Sequence, residues 1–141
     1  MTEHISSAYD RDLDAIQTLV MKMGGLVEDA IGSAVKSLET RDIELAEKVR
    51  ATDKQIDALE LQINEEAARV IALRAPVSKD LRAILTVLRI AASMERIGDY
   101  AKNIAKRTGT LLDMPHIAGS DAALRRMARE VQSMLKDLLD S

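Results

Sequence analysis

The stretch DKQIDALELQINEEAARVIALRAPVSKDLRAILTVLRIAASMERIGD, Asp53 to Asp99, decides the fold. Its apolar residues recur at three- and four-residue spacing on both sides of a single proline, Pro76, which is the pattern of two amphipathic helices rather than of strands. The proline ends the first of them by pushing its preceding residue out of the α region. Ser78 is placed to cap the second. With so short a connection, the two helices fold back on each other as antiparallel neighbours.

Outward from this hairpin the same periodicity continues. A first helix is expected from about Asp10 to Arg41, with Gly24-Gly25 marking a close helix contact or a bend. Asp42 is the expected N-cap of the second helix, which reaches about Arg74; the third runs from Ser78 to near Leu111. DMPHIAGS reads as a linker. A last helix, Ser120 to Asp140, places Leu124, Met127, Val131, Met134, Leu135 and Leu138 on one stripe. The fold class is therefore all-α, an up-down three-helix bundle with an additional C-terminal helix.

Composition narrows the chemistry. The 141 residues are 47% apolar, yet Tyr9 and Tyr100 are the only aromatics, so the core is expected to consist of Leu, Ile, Val, Ala and Met. A net charge of −3 argues against a nucleic-acid surface. Absence of cysteine removes disulfides, thiolate nucleophiles and Cys-based metal sites. No apolar run approaches the ~20 residues that span a bilayer, and the N-terminal residues do not form a signal peptide. There is no Walker-type phosphate loop, no Ser-His-Asp or Cys-His arrangement and no Glu-x-x-His pair, so neither hydrolase chemistry nor a ferritin-like di-iron oxidase is expected.

What remains is a pattern of acids. At about 100° per residue, Val49, Ile56, Leu59, Ile63, Ala67 and Val70 form the buried stripe of the second helix, and Glu44, Glu47, Lys48, Gln55 and Gln62 its solvent face. Asp53, Asp57, Glu60 and Asn64 lie on the flank between them. On the third helix Glu95, Asp99 and Asn103 occupy a comparable flank, beside a stripe of Arg82, Arg89, Arg96 and Arg107. Counting from Pro76, Asp57 is level with Glu95 and Asp53 with Asp99. Four converging carboxylates cannot all stay ionised unless a cation sits among them, and oxygen ligands suit Mg, Mn, Ca or iron. The alternative is a hydrated acidic face paired with Arg50, Arg96 or Lys102. Glu28 and Asp29 of the first helix are placed at a similar height as further candidates.

The segment from Val49 to Arg107, with D-x-x-I-D-x-L-E, P-V-x-x-D-L-R and E-R-I-G-D-x-A-x-N-I-A in order, resembles the PhoU repeat. The resemblance implies one three-helix repeat over residues 1–112, a linker at 113–120 and the first helix of an incomplete second repeat at 121–141. It implies metal ions held by Asp53, Asp57, Glu95 and Asp99, the acids that helical geometry also selects; iron, zinc, manganese or magnesium are the candidate ions, and Glu60 and Asn103, on the same flanks, are candidate additional or supporting groups. It implies a cytoplasmic negative regulator of phosphate uptake and of the phosphate-starvation response, not an enzyme. Its partners would be components of a phosphate ABC transporter and a phosphate-sensing histidine kinase, with neither nucleic acid nor membrane insertion. The apolar stripe of the last helix is expected to be covered by the chain's own bundle or by a second copy, as in a homodimer. The competing expectation is a metal-independent helical adaptor or oligomerisation bundle.

Overall fold

In the computed structural model, which describes residues 2–111 and 120–140, four helices follow one another: α1 (Thr2–Thr40), α2 (Ile43–Arg74), α3 (Ser78–Leu111) and α4 (Ser120–Asp140). Thus α1 begins well before Asp10 and runs through Gly24-Gly25 without interruption. It ends where Arg41 adopts a left-handed φ of 54° and the Asp42 amide donates to the Ser37 carbonyl at 2.9 Å, a closure that satisfies otherwise orphaned carbonyls. The Asp42 carboxylate then accepts from the Leu45 amide at 3.1 Å and starts α2 as expected. At the Pro76 turn, Ala75 is left-handed with φ 45° and donates to Ile71. Ser78 is itself the first residue of α3, also left-handed at φ 51°, so it belongs to the turn geometry and does not precede the helix as a cap. Residues 112–119, which include most of the expected linker at 113–120, lie outside the described residues.

The stripe expected for α2 is fully buried, from Val49 through Ile56, Leu59, Ile63 and Ala67 to Val70. It packs on Ile16, Val20, Met23, Val27, Ile31, Ala34 and Val35 of α1 and on Ile84, Val87, Ala91, Met94, Ile97, Ala101 and Ala105 of α3. The arginines of α3 are all exposed, as are the polar residues assigned to the solvent face of α2.

Helices α1 and α3 run parallel at a constant offset. The Tyr9 hydroxyl donates to the Asp80 carbonyl at 2.6 Å, and Ser37 and Thr108 share a buried hydrogen bond of 3.0 Å; in each case the partners are 71 residues apart. Val27 and Gly98 meet at the same offset midway. Because the Ser37 hydroxyl donates its proton to the Ala34 carbonyl at 2.7 Å, Thr108 must be the donor in the shared bond. Near the Pro76 turn, Asp12 of α1 pairs with Arg69 and Arg74 of α2 at 3.2 and 3.0 Å.

Helix α4 returns as a fourth member of the bundle, against α1 and α3. Leu139 sits beside Gly24, and Gln132 beside Gly32, so α4 is antiparallel to α1. Leu135 is buried and Val131, Leu138 and Leu139 are half-buried against the core, whereas Met134 of the expected stripe is 58% exposed. Leu139 takes the inward role instead. The side chains of Leu124 and Met127 lie outside the described residues.

Candidate functional site

Lys102 of α3 lies within ion-pair distance of Asp53 and Asp99, the two acids that counting from Pro76 puts level. Asp53 is buried, at 4% exposure. One of its oxygens, Oδ2, lies 3.5 Å from Lys102 Nζ, which is also 4.0 Å from Asp99 Oδ1. The other, Oδ1, is buried with no hydrogen-bond partner. Asp57 is exposed, Glu60 and Glu95 are half-buried, and the Asp99 side chain is about half exposed.

The partners are displaced along the helices for a geometric reason. Each Cα–Cβ bond leans toward the N-terminus of its own helix. In an antiparallel pair, α2 side chains therefore reach away from the Pro76 turn and α3 side chains back toward it. An α2 residue then meets an α3 residue lying slightly further from the turn. Ile56 accordingly packs against Gly98, and Asp53 reaches Lys102 as well as Asp99. The charge of Glu60, on the same flank of α2, is among those that act on Glu95.

Electrostatics record the crowding. Burial, foremost, and then the neighbouring charges of Asp57 and Asp99 push the Asp53 carboxyl up, while Lys102 pulls it down. Glu60 is raised by burial and by Asp57. Glu95 is raised by burial and then by Asp99, Glu60, Asp57 and Asp53 in that order. Four of the five influences on Glu95 are thus other acids of the proposed set. Among the causes of these three shifts Lys102 is the one cation.

Other residues join or leave the site. An open depression of about 650 Å³ adjoins it, lined by Arg50, Asp53, Lys54, Asp57, Lys102 and Lys106 among others. The lysines of this wall carry a signal in the sequence, since Lys102 and Lys106 stand three and seven residues beyond Asp99 on the same helical line. Asn103 is exposed and makes no bond to the acids. Asp29 lines a separate depression between α1 and α2, with Leu45, Lys48 and Thr52, so α1 does not deliver it to this groove. Gly98 is buried against Ile56 and Val27, at distances a Cβ would meet as ordinary contacts.

Chemically, the donor set suits an oxygen-ligated cation: hard oxygens, an unpartnered buried carboxylate oxygen and mutually repelling acids. Among the described residues, however, no three of the Asp, Glu and His side chains are already gathered as a ligand group for a metal ion.

A model of the PhoU domain family matches residues 20–108. The chain belongs to the PhoU family. It is 38% identical to the phosphate-specific transport system accessory protein PhoU homolog of Caulobacter vibrioides over 141 residues, which cover 100% of this chain and 61% of that relative. Against the phosphate-specific transport system accessory protein PhoU of Escherichia coli (strain K12), identity is 33%, covering 100% of this chain and 58% of the relative. The crystal structure of PhoU from Pseudomonas aeruginosa matches with a TM-score of 0.87 at 34% identity, over 94% of this chain and 63% of that one. That of the phosphate transport system regulatory protein PhoU from Streptococcus pneumoniae matches with a TM-score of 0.81 at 30% identity, over 93% and 61%. The chain thus spans about three fifths of the length of these PhoU relatives. Among the described residues, no helix is long and apolar enough to cross a membrane.

Proposed function

We propose that this chain is a regulatory module of phosphate uptake. In this reading it acts in the cytoplasm, restraining phosphate transport and the phosphate-starvation response by contact with a phosphate ABC transporter and a phosphate-sensing histidine kinase. The observation that carries the reading is the match of the whole chain to accessory proteins of phosphate-specific transport. The test is co-purification of the chain with the transporter's ATP-binding subunit and with the kinase, together with a phosphate-starvation reporter. Co-purification and a lowered reporter output are expected; absence of both, in cells where a full-length PhoU relative gives them, overturns the proposal.

Within that role, Asp53, Asp57, Glu95 and Asp99, with Glu60 alongside, hold a metal ion, for which iron, manganese, magnesium and zinc are the candidates. Support comes from the unpartnered Asp53 Oδ1 and the acids that raise one another. A bound cation would supply the positive charge that these carboxylates lack. This chain's own part is to present the oxygens from α2 and α3, which pack on each other where Ile56 meets Gly98. Titration with Mn²⁺ followed by calorimetry is the direct test.

A second reading is favoured by the ion pair between Lys102 and Asp53. On that reading the chain is a metal-independent adaptor whose own ammonium group balances the acids. It requires that no divalent cation bind at micromolar concentration.

A further inference from the structure

We propose that Lys102 is a competitor built into the acid groove, occupying in the metal-free protein the position a divalent cation would take and setting the affinity for that cation by having to leave. This inference rests on the metal reading above.

The geometry is that of a tenant poorly fitted to its place. Lys102 Nζ stands between Asp53 and Asp99, at 3.5 and 4.0 Å. A charge-assisted N–H···O⁻ bond measures roughly 2.7–2.9 Å, so neither contact is a close one. The ammonium leaves the buried Asp53 Oδ1 without a partner among the described residues and brings one positive charge to an acid on which the charges of Asp57 and Asp99 also act. A divalent ion brings two charges and accepts several oxygens at once. Lys102 also has somewhere to go. Its side chain is 32% exposed, and it borders the open depression lined by Arg50, Lys54, Asp57 and Lys106, so its flexible stem can carry the ammonium to water without moving α3. Two unlike cations cannot share the space between Asp53 and Asp99, because they repel at these distances.

The experiment compares the wild-type chain with Lys102→Met, Lys102→Arg and Lys54→Met, each titrated with Mn²⁺ by calorimetry and melted without and with saturating Mn²⁺. Lys54 lines the same depression but has no ion pair with the acids, so Lys54→Met makes the same change in net charge without vacating the position. Expected are binding by Lys102→Met tighter than wild type by about tenfold or more, little change in Lys54→Met, and a lower melting temperature for metal-free Lys102→Met that saturating Mn²⁺ restores. Lys102→Arg, whose planar fork can hold two carboxylates at once, is expected to bind Mn²⁺ more weakly than wild type, and it keeps the test available if the methionine variant does not fold. Wild-type affinity in Lys102→Met, or an equal gain in Lys54→Met, overturns the competitor role while leaving the metal site standing. Absence of Mn²⁺ binding in both wild type and Lys102→Met overturns the metal reading and this inference together.

Discussion

Asp53 shows how much one residue's position can alter its chemistry. It shares the flank of α2 with Asp57 and Glu60, but it alone is buried, and one of its oxygens has no partner. Asp57, four residues on, is a like charge at the spacing that destabilises a helix by a few tenths of a kcal/mol. Asp57→Asn should therefore leave the metal-free melting temperature unchanged or slightly raised, while weakening Mn²⁺ binding by at least about tenfold; a marked fall in metal-free stability would show that Asp57 serves a structural ion pair instead. The pH response follows from the directions of the shifts. Asp53, Glu60 and Glu95 hold protons more readily in the folded than in the unfolded chain, where their usual values are 3.8, 4.5 and 4.5. Metal-free stability should then rise as pH falls from neutral through their raised folded values. Asp12 has the opposite sign: hydrogen bonding to Arg74 is the largest cause of its lowering from 3.8. Its contribution is present above that value and is lost as pH falls below it. A melting series is expected to pass through a maximum at mildly acidic pH, and with saturating Mn²⁺ the rise should reverse as protons compete for the same oxygens.

At the scale of elements, the hairpin was readable from the sequence because Pro76 and the period of α2 leave little choice. Every residue assigned to the α2 stripe is buried. The pairing across the groove was only partly readable. Counting from the proline treats side chains as if they stood perpendicular to the helix, and their tilt is what brings Lys102 to Asp53. Gly24 was legible as a close contact, but its partner was not, because nothing local in α1 encodes the direction of α4. A Cβ at Gly24 would lie 2.8 Å from Leu139 Cδ1. Gly24→Ala should therefore displace the tip of the Leu139 side chain while α1 gains up to about 1 kcal/mol of helix propensity. Hydrogen exchange is expected to quicken near Leu139 with the global melting temperature held or raised; equal protection throughout would count against this packing. The buried hydroxyls make a second contrast. Ser37→Ala strands the Thr108 donor and should cost about 1–3 kcal/mol, more than Thr108→Val, which leaves Ser37 bonded to Ala34.

For the whole molecule, α4 is the element on which the stability of the surface depends. Leu135 is buried at 2% exposure, and Val131, Leu138 and Leu139 pack on the core, so removing the helix uncovers a continuous apolar strip on α1 and α3. A chain ending at Leu111 should keep its helicity by circular dichroism but self-associate in sedimentation, whereas a well-behaved monomer would show that α4 contributes little cover. Such a bundle, with a core that has Tyr9 as its only aromatic, keeps its helices close by packing small aliphatic side chains layer on layer.

The offset of 71 residues shared by Tyr9 with Asp80 and by Ser37 with Thr108 has a mechanical meaning. Two clasps near opposite ends of a parallel pair oppose sliding of either helix along the other, since any such slip would break both bonds at once and leave the buried Thr108 hydroxyl unpaired. Helices α1 and α3 therefore behave as one strut. On the metal reading, an ion held between Asp53 and the acids of α3 would act across the seam between α2 and that strut, and α2 is tied at its ends by the Asp12 pairs with Arg69 and Arg74 at the Pro76 corner and by its Asp42 cap at the other.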